Sequence, residues 1–262
     1  MSRLEIFGVE GLPNVVPGTD IAGAIAARCE LRDGDVVVVA SKIVAKAEGQ
    51  LVAVDANDPL AHKPLVERES VRVVRRRGEL IISETKHGFV CANAGIDMSN
   101  VDEGFALLLP EDPDRSARRI RDGLRAKAGA EVAVIVSDTF GRAWRRGLTD
   151  IALGCAGIGA ILDLRGTEDA YGRELHVTEV AVVDEIAGAA ELTMGKASGI
   201  PVAIVRGIDP AWLRESSVKT EIVRRPDEVL AGCRAKRVVP ILHRADVGGM
   251  PVIPHPAVPR GV

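Results

Sequence analysis

Aromatic side chains are scarce in this sequence: four Phe, two Trp and one Tyr among 262 residues. That argues against a stacking platform for single-stranded nucleic acid, which needs several exposed aromatic faces. Charge of one sign is lacking too. Lys plus Arg number 34 and Asp plus Glu 37, a formal net charge of −3, so the basic excess of a duplex binder is missing. Long apolar runs are absent; residues 36–40 and 133–136 are strand-sized, far below the ~20 residues a spanning helix needs. The start, Met1-Ser2-Arg3-Leu4-Glu5, lacks the apolar stretch of a signal peptide. The four cysteines, Cys29, Cys91, Cys155 and Cys233, form no CxxC pair. A zinc ribbon or thioredoxin-like site therefore has no support, and the expectation is a reducing cytoplasm with each Cys a small core residue. Neither nucleic acid nor membrane is expected as a partner.

What is present suits a globular protein. Hydrophobic residues make up 47% and charged residues 27%, enough apolar surface to offset chain entropy. At roughly 150 residues per domain the length allows one large domain or two small ones. Strand-like and helix-like segments alternate. The β-branched runs at 35–40, 133–136 and 202–205 read as strands buried on both faces; 80–82, 105–109 and 177–183 are weaker candidates. Asp112-Pro113 reads as a helix start, with Ala117, Ile120, Leu124 and Ala128 at helical spacing and Gly129 as the stop. Residues 20–29, 59–69, 149–157 and 184–196 read as further helices. The pattern is that of a mixed α/β (α+β) protein, with a main unit over 1–247. Residues 248–262 carry Pro251, Pro254, Pro256 and Pro259 and read as an extended tail.

Four segments carry chemistry. In Ser137-Asp138-Thr139-Phe140-Gly141-Arg142-Ala143-Trp144-Arg145-Arg146-Gly147, a buried strand delivers an Asp, a Thr and then arginines. Carboxylate and hydroxyl oxygens suit Mg²⁺ or Mn²⁺, and guanidiniums suit phosphate or carboxylate oxygens. The alternative is an Asp that caps a turn beside solvated arginines. Residues 85–101, rich in Asn, Gly and Asp, read as an ordered functional loop. There Asp97 could add a second metal carboxylate, and His87 is at least as easily a structural histidine. Ser41-Lys42 follows the first buried strand, and Lys46 stands one helical turn after Lys42. Two lysines beside backbone amides would hold a polyphosphate, or else mark a solvated helix start. Met194-Gly195-Lys196-Ala197-Ser198-Gly199-Ile200-Pro201 fails the P-loop pattern: Ala190 stands where a glycine should, and Ala197 follows the lysine. Gly154-Cys155-Ala156-Gly157-Ile158-Gly159 likewise breaks the Rossmann order, so neither standard nucleotide signature is present.

Together, Leu12-Pro13, Ser41-Lys42…Lys46, His87-Gly88…Asn93-Ala94-Gly95-Ile96-Asp97…Ser99-Asn100, Ser137-Asp138-Thr139-Phe140-Gly141-Arg142…Trp144-Arg145 and Ala190-Glu191-Leu192…Met194-Gly195-Lys196…Gly199-Ile200-Pro201-Val202 resemble the coenzyme F-420:L-glutamate ligases, the gamma-glutamyl ligases of deazaflavin cofactor biosynthesis. The resemblance runs from about residue 4 to about residue 210 and implies the following. Such enzymes join L-glutamate to the carboxylate of the coenzyme F-420 precursor as GTP becomes GDP and phosphate, and can add further gamma-linked glutamates. They use Mn²⁺ or Mg²⁺, with K⁺ as activator. Their fold is their own, with two intertwined lobes, and they form an intertwined homodimer with the nucleotide site near the subunit interface. By matching positions, Asp97, Asp138 and Thr139 would be metal ligands. Gly11, Leu12, Pro13, Asn14, Ser41, Lys42, Lys46 and Asn100 would contact GTP, together with Met194, Gly195, Lys196, Ala197, Ser198, Gly199, Ile200 and Pro201.

Three departures stand out. Lys196 occupies a position where archaeal members often carry a metal-ligating Gln; a protonated lysine cannot ligate a metal, so a phosphate contact replaces that role. Leu148 stands where many members have Gln. Some relatives continue into a nitroreductase-like domain, and that second activity is not expected here. The chemistry implied is phosphoryl transfer to a carboxylate, giving an acyl phosphate that the glutamate amine attacks. Asp138 is the expected catalytic centre. The charge of Arg142 and Arg145 suggests that they orient the acidic substrates. No residue stands out as a base for the amine. The competing readings are another metal-dependent phosphoryl or nucleotidyl transferase and a GTP-binding module without catalysis.

Overall fold

The structure, a computed structural model, describes residues 3–142 and 145–224. In chain order it runs β1 (Glu5–Gly8), α1 (Ile21–Ala26), β2 (Val36–Ala40), α2 (Ser41–Ala47), β3 (Leu51–Ala53), α3 (Lys63–Glu69), β4 (Ser70–Arg77), β5 (Leu80–Thr85) and β6 (Val90–Ala92). There follow β7 (Phe105–Leu107), α4 (Pro113–Ala128), β8 (Ala133–Arg142), β9 (Arg145–Ala156), β10 (Leu162–Asp163), β11 (Glu179–Val180), α5 (Val182–Met194), β12 (Val202–Arg206) and α6 (Val218–Glu221). This is the mixed α+β class expected.

Five strands form the central sheet in the order β1-β12-β2-β8-β9. Only β2 and β8 pair in parallel; the other neighbours are antiparallel. The three β-branched runs supply its middle. Val36 and Val38 of β2 pack into one apolar cluster and Val37 and Val39 into the other. Successive side chains of a strand point to opposite faces, so a strand covered on both sides must be apolar at every position. The first cluster is closed by α5, through Val183, Ile186, Ala187 and Ala190. The second is closed by α1 and α4, through Ile25, Ala117, Ile120 and Leu124.

Helix α4 follows its sequence signals closely. Asp112 caps it by accepting from the Arg115 N–H at 2.9 Å, Pro113 opens the first turn, and Gly129 ends it at φ 71°. Asp114 then ties the helix to the rest of the core. Its buried carboxylate accepts from the backbone N–H groups of Cys155, Val218 and Lys219.

Elsewhere the sequence reading needs correction. Of residues 149–157, read as helical, 149–156 belong to β9, which pairs antiparallel with β8. The second half of β9 is buried at nearly every position, and a continuous small and apolar stretch has no period that separates strand from helix. Strand β8 also runs past Val136 to Arg142. The 177–183 candidate shrinks to β11, because Val182 and Val183 open α5. Helix α3 begins at Lys63, not Pro59, and the 85–101 loop holds β6 and a 3-10 turn at Asn93–Gly95. Cys91 and Cys155 are buried, and burial pushes both thiols up to about 12, as core cysteines should behave. Cys233 and the Pro-rich 248–262 segment lie outside the described residues. No helix among the described residues is long and apolar enough to cross a membrane.

Candidate active site

The parallel pair β2–β8 positions the site. Ala40, the last residue of β2, lies beside Ser137 in register, so Ser41 emerges next to Asp138 at the carboxyl end of β2, the side where open α/β sheets bind ligands, while β8 runs on along β9 to Arg142. From β2 come Ser41, Lys42 and, one turn along α2, Lys46; from β8 come Asp138 and Thr139. They line a cavity of about 440 Å³, within the usual range for small-molecule clefts, ~300–1,000 Å³. Leu12, Pro13 and Asn14 form one wall, and the loop after α5 forms another through Met194, Gly195, Lys196 and Ala197 and then Gly199, Ile200 and Pro201. Gly195 turns that loop at φ 59°, ψ 150°, a conformation open essentially to glycine alone.

Hydrogen bonds fix the polar floor. Ser41 Oγ donates to Asp138 Oδ2 at 2.7 Å, and the Thr139 N–H donates to Asp138 Oδ1 at 2.7 Å. Asp150 on β9 stands opposite Thr139 in the antiparallel register. It accepts from Ser137 Oγ at 3.0 Å and from Thr139 Oγ1 at 2.5 Å. Lys196 donates to Thr139 Oγ1. Burial raises the Asp138 pKa, and the neighbouring Asp150 adds to the rise; the bonds from Ser41 and Thr139 and the charge of Lys42 oppose it.

A second layer hangs on the two lysines. Lys42 forms an ion pair with Asp97 and donates to Ser99 Oγ at 2.9 Å, while Lys46 donates to the Asn100 carbonyl at 2.6 Å. The Ser99 N–H donates to Asp97 Oδ1 at 2.6 Å. Burial opposes ionisation of Asp97, but the Lys42 and Ser99 contacts outweigh it and hold its carboxyl below the usual range. Asn100 adopts φ 55°, which Asn tolerates better than most residues. The 97–100 loop is thus strapped onto α2.

Of the residues expected to contact nucleotide, Leu12, Pro13, Asn14, Ser41, Lys42, Lys46 and Asn100 line the cavity, as does the post-α5 loop apart from Ser198. The Ser198 hydroxyl turns back to the Met194 carbonyl, and the Gly11 carbonyl accepts from Arg28 Nε at 2.6 Å; neither residue lines the cavity. Asp97 stands behind Lys42. Arg142 and Arg145 face each other, exposed, at the far end of the β8–β9 pair, away from the cavity lining. His87 is structural: Nε2 lies 2.9 Å from the Pro110 carbonyl and the ring stacks on Phe89. Sequence reasoning gave no role to Asp150, nor to Glu191 within the segment that carries the resemblance, and both line the cavity. Asp150 becomes legible only once 145–156 is seen as a strand, and Glu191 only once α5 is docked.

The donor set is hard oxygen, as Mg²⁺ or Mn²⁺ requires. No three His, Cys, Asp or Glu side chains converge on one point among the described residues. An ion held here would need oxygens beyond the protein's own, such as substrate phosphates, to complete its shell. A cation bound there would relieve the repulsion of Asp150 on Asp138.

Residues 11–207 match the family described as F420-0:gamma-glutamyl ligase. The chain belongs to that family. It is 44% identical over 250 residues to the coenzyme F420:L-glutamate ligase of Methanothermobacter thermautotrophicus, covering 87% of this chain and 99% of the relative. It is 43% identical over 228 residues to the enzyme of the same name from Methanopyrus kandleri, covering 80% and 90%. With the one from Archaeoglobus fulgidus it shares 42% over 240 residues, covering 86% and 95%.

Proposed function

We propose that this chain is a cytoplasmic, GTP-dependent ligase that joins L-glutamate to the carboxylate of the deazaflavin coenzyme F420 precursor, and can extend the product with gamma-linked glutamates. The observation that carries this reading is the end of the parallel β2–β8 pairing at Ala40 and Ser137, which brings Lys42 and Lys46 to the same cavity as Asp138 and Thr139.

A carboxylate does not condense with an amine at neutral pH unless an oxygen is first made a leaving group. The precursor carboxylate attacks the terminal phosphorus of GTP, GDP departs, and the acyl phosphate formed is then opened by the glutamate amine. Phosphoryl transfer is chiefly positioning and charge neutralisation. Lys42 and Lys46 offset the triphosphate charge, and Lys196 reaches the same cavity from the post-α5 loop. Asp97, Asp138 and Thr139 would hold Mn²⁺ or Mg²⁺; for Asp97 and Thr139 this requires Lys42 and Lys196 to yield their present contacts. Those residues would thereby place a cation whose charge would neutralise phosphate oxygens. K⁺ as activator and a homodimeric assembly belong to the same proposal.

The test is mass spectrometry of the deazaflavin precursor after incubation with the enzyme, GTP, Mn²⁺ and L-glutamate. A gain of one or more glutamyl residues with GDP and phosphate is the expected result. Pyrophosphate release would instead mark a nucleotidyl transferase, and nucleotide binding without turnover a non-catalytic module.

A further inference from the structure

Amide formation needs an amine that has lost a proton, whereas the amine of a free amino acid is an ammonium at neutral pH. A carboxylate that serves as base must be free to accept that proton. Three of the four carboxylates in or behind the cavity are engaged. Asp138 accepts from Ser41 and the Thr139 N–H, Asp150 from Ser137 and Thr139, and Asp97 from Lys42 and the Ser99 N–H.

Glu191 differs. It lines the cavity from the last turn of α5, and its carboxylate takes part in no hydrogen bond or ion pair among the described residues. The helix lies close to the floor: a Cβ at Gly188, one turn earlier, would stand 3.6 Å from Thr149 Oγ1 and 3.8 Å from the Asp150 carbonyl. The next residue, Leu192, is 88% exposed, so Glu191 sits between the packed face of α5 and solvent. The charged groups near enough to act on it are Asp150 from β9, Asp138 from β8, Lys42 from α2 and Lys196 from the loop beyond its own helix. Burial and the two aspartates raise its pKa, and the two lysines pull it back. A carboxyl raised in this way is a better proton acceptor at neutral pH.

We propose that Glu191 is the catalytic base of the amide-forming step: its carboxylate binds the ammonium group of the incoming glutamate and takes one proton from it. The assignment rests on the acyl-phosphate reading above. The freed amine attacks the acyl carbon and a C–N bond forms. The C–O bond to phosphate breaks, with the electron pair leaving on phosphate. The nitrogen's second proton goes to that phosphate, and Glu191 returns its own proton to solvent.

Hydroxylamine is largely unprotonated at neutral pH, so it traps an acyl phosphate as the hydroxamate without a base. The experiment compares wild type and Glu191→Gln with GTP, Mn²⁺ and precursor, using either L-glutamate or hydroxylamine as nucleophile. Glu191→Gln is expected to keep hydroxamate formation within about threefold of wild type while glutamate addition falls about 10²–10⁴-fold. Glutamate addition by the variant should recover as pH rises and the amine deprotonates in solution. Glu191→Asp, which keeps a shorter carboxylate, should restore part of the rate. Wild-type glutamate addition by Glu191→Gln would overturn the assignment. So would a parallel loss of hydroxamate, which would place Glu191 in phosphoryl transfer or folding. Failure of the wild type itself to form hydroxamate would instead bring down the acyl-phosphate reading, and this assignment with it.

Discussion

Asp138 is a partly buried carboxylate whose two oxygens already have donors, and substitution separates its charge from its shape. In Asp138→Asn the carbonyl oxygen can still accept from the Thr139 N–H, and the Ser41 hydroxyl can rotate to accept from the new amide. Burial disfavours the ionised form of Asp138, so loss of the charge removes a desolvation cost. Stability is therefore expected to stay within about 1 kcal/mol of wild type, while ligation is abolished. Denaturant midpoint and turnover measured on one preparation check both halves; near-normal turnover in a folded, metal-saturated variant would remove Asp138 from the chemistry. The two lysines make a graded pair. Each Lys→Ala change should raise the Michaelis constant for GTP far more than that for glutamate, by roughly ten- to a hundredfold for a charge-assisted contact of ~1.5–3 kcal/mol. Lys46→Ala is the cleaner variant, because among the described residues Lys46 holds only the Asn100 carbonyl, whereas Lys42→Ala also strips Asp97 of its ion-pair partner. Lys→Arg should rescue poorly, since a planar fork replaces a compact charge. GTP titration at saturating glutamate reads all four variants, and an unchanged constant in both alanine variants would make 41–46 a plain strand-to-helix turn.

Strand β9 shows how an element can be decisive and still hard to read. Its Gly154 lies against the start of α4: a Cβ there would stand 2.2 Å from the Pro113 carbonyl carbon and 2.4 Å from the Asp114 nitrogen. Backbone cannot move aside as a flexible side chain can, so Gly154→Ala must push α4 off the sheet and disturb the Asp114 anchor. We expect a loss of about 3 kcal/mol or more, at the upper end for overpacking, seen as a lower urea midpoint at unchanged slope; a midpoint equal to wild type would show that the contact yields freely. The glycine required here also contributed to the misreading of 149–157, because Gly154, Ala156 and Gly157 carry no β-branched signal and both faces are covered. Strands β2, β8 and β12 were legible from their β-branched runs, and α4 from its cap, proline, spacing and stop glycine. The site was legible to the same depth. Ser41, Lys42, Asp138 and Thr139 follow directly on readable strands. Asp150 reaches Thr139 only through cross-strand register, and Glu191 reaches the cavity only through the docking of α5. Register and docking are set by tertiary packing, which no local pattern encodes.

At the scale of the whole molecule, β4-β5-β6 is hydrogen-bonded as a sheet of its own, and the apolar cluster at it is small, with Val66, Ile81 and Ala94 buried in it. It leaves Val71, Val73, Val74, Leu80 and Val90 between 39% and 69% exposed. Strand β4 is an edge, and edges that must not pair indiscriminately are blunted by charge. Arg72, Arg75, Arg76 and Arg77 meet that need, with Arg72 and Arg76 paired to Glu84 and Glu67. An edge guarded by arginines beside uncovered valines suits a specific partner better than none, and two-fold self-association is the commonest way to cover such a face. The expected state is a homodimer that buries this sheet. Light scattering at assay concentration should give twice the chain mass, and Val71→Glu combined with Val73→Glu should give a folded monomer by the same measurement and by circular dichroism. A fully active wild-type monomer would overturn the dimer. A doubly substituted protein that stays dimeric would move the interface away from β4, and the exposed valines would then have to be explained by a different ligand.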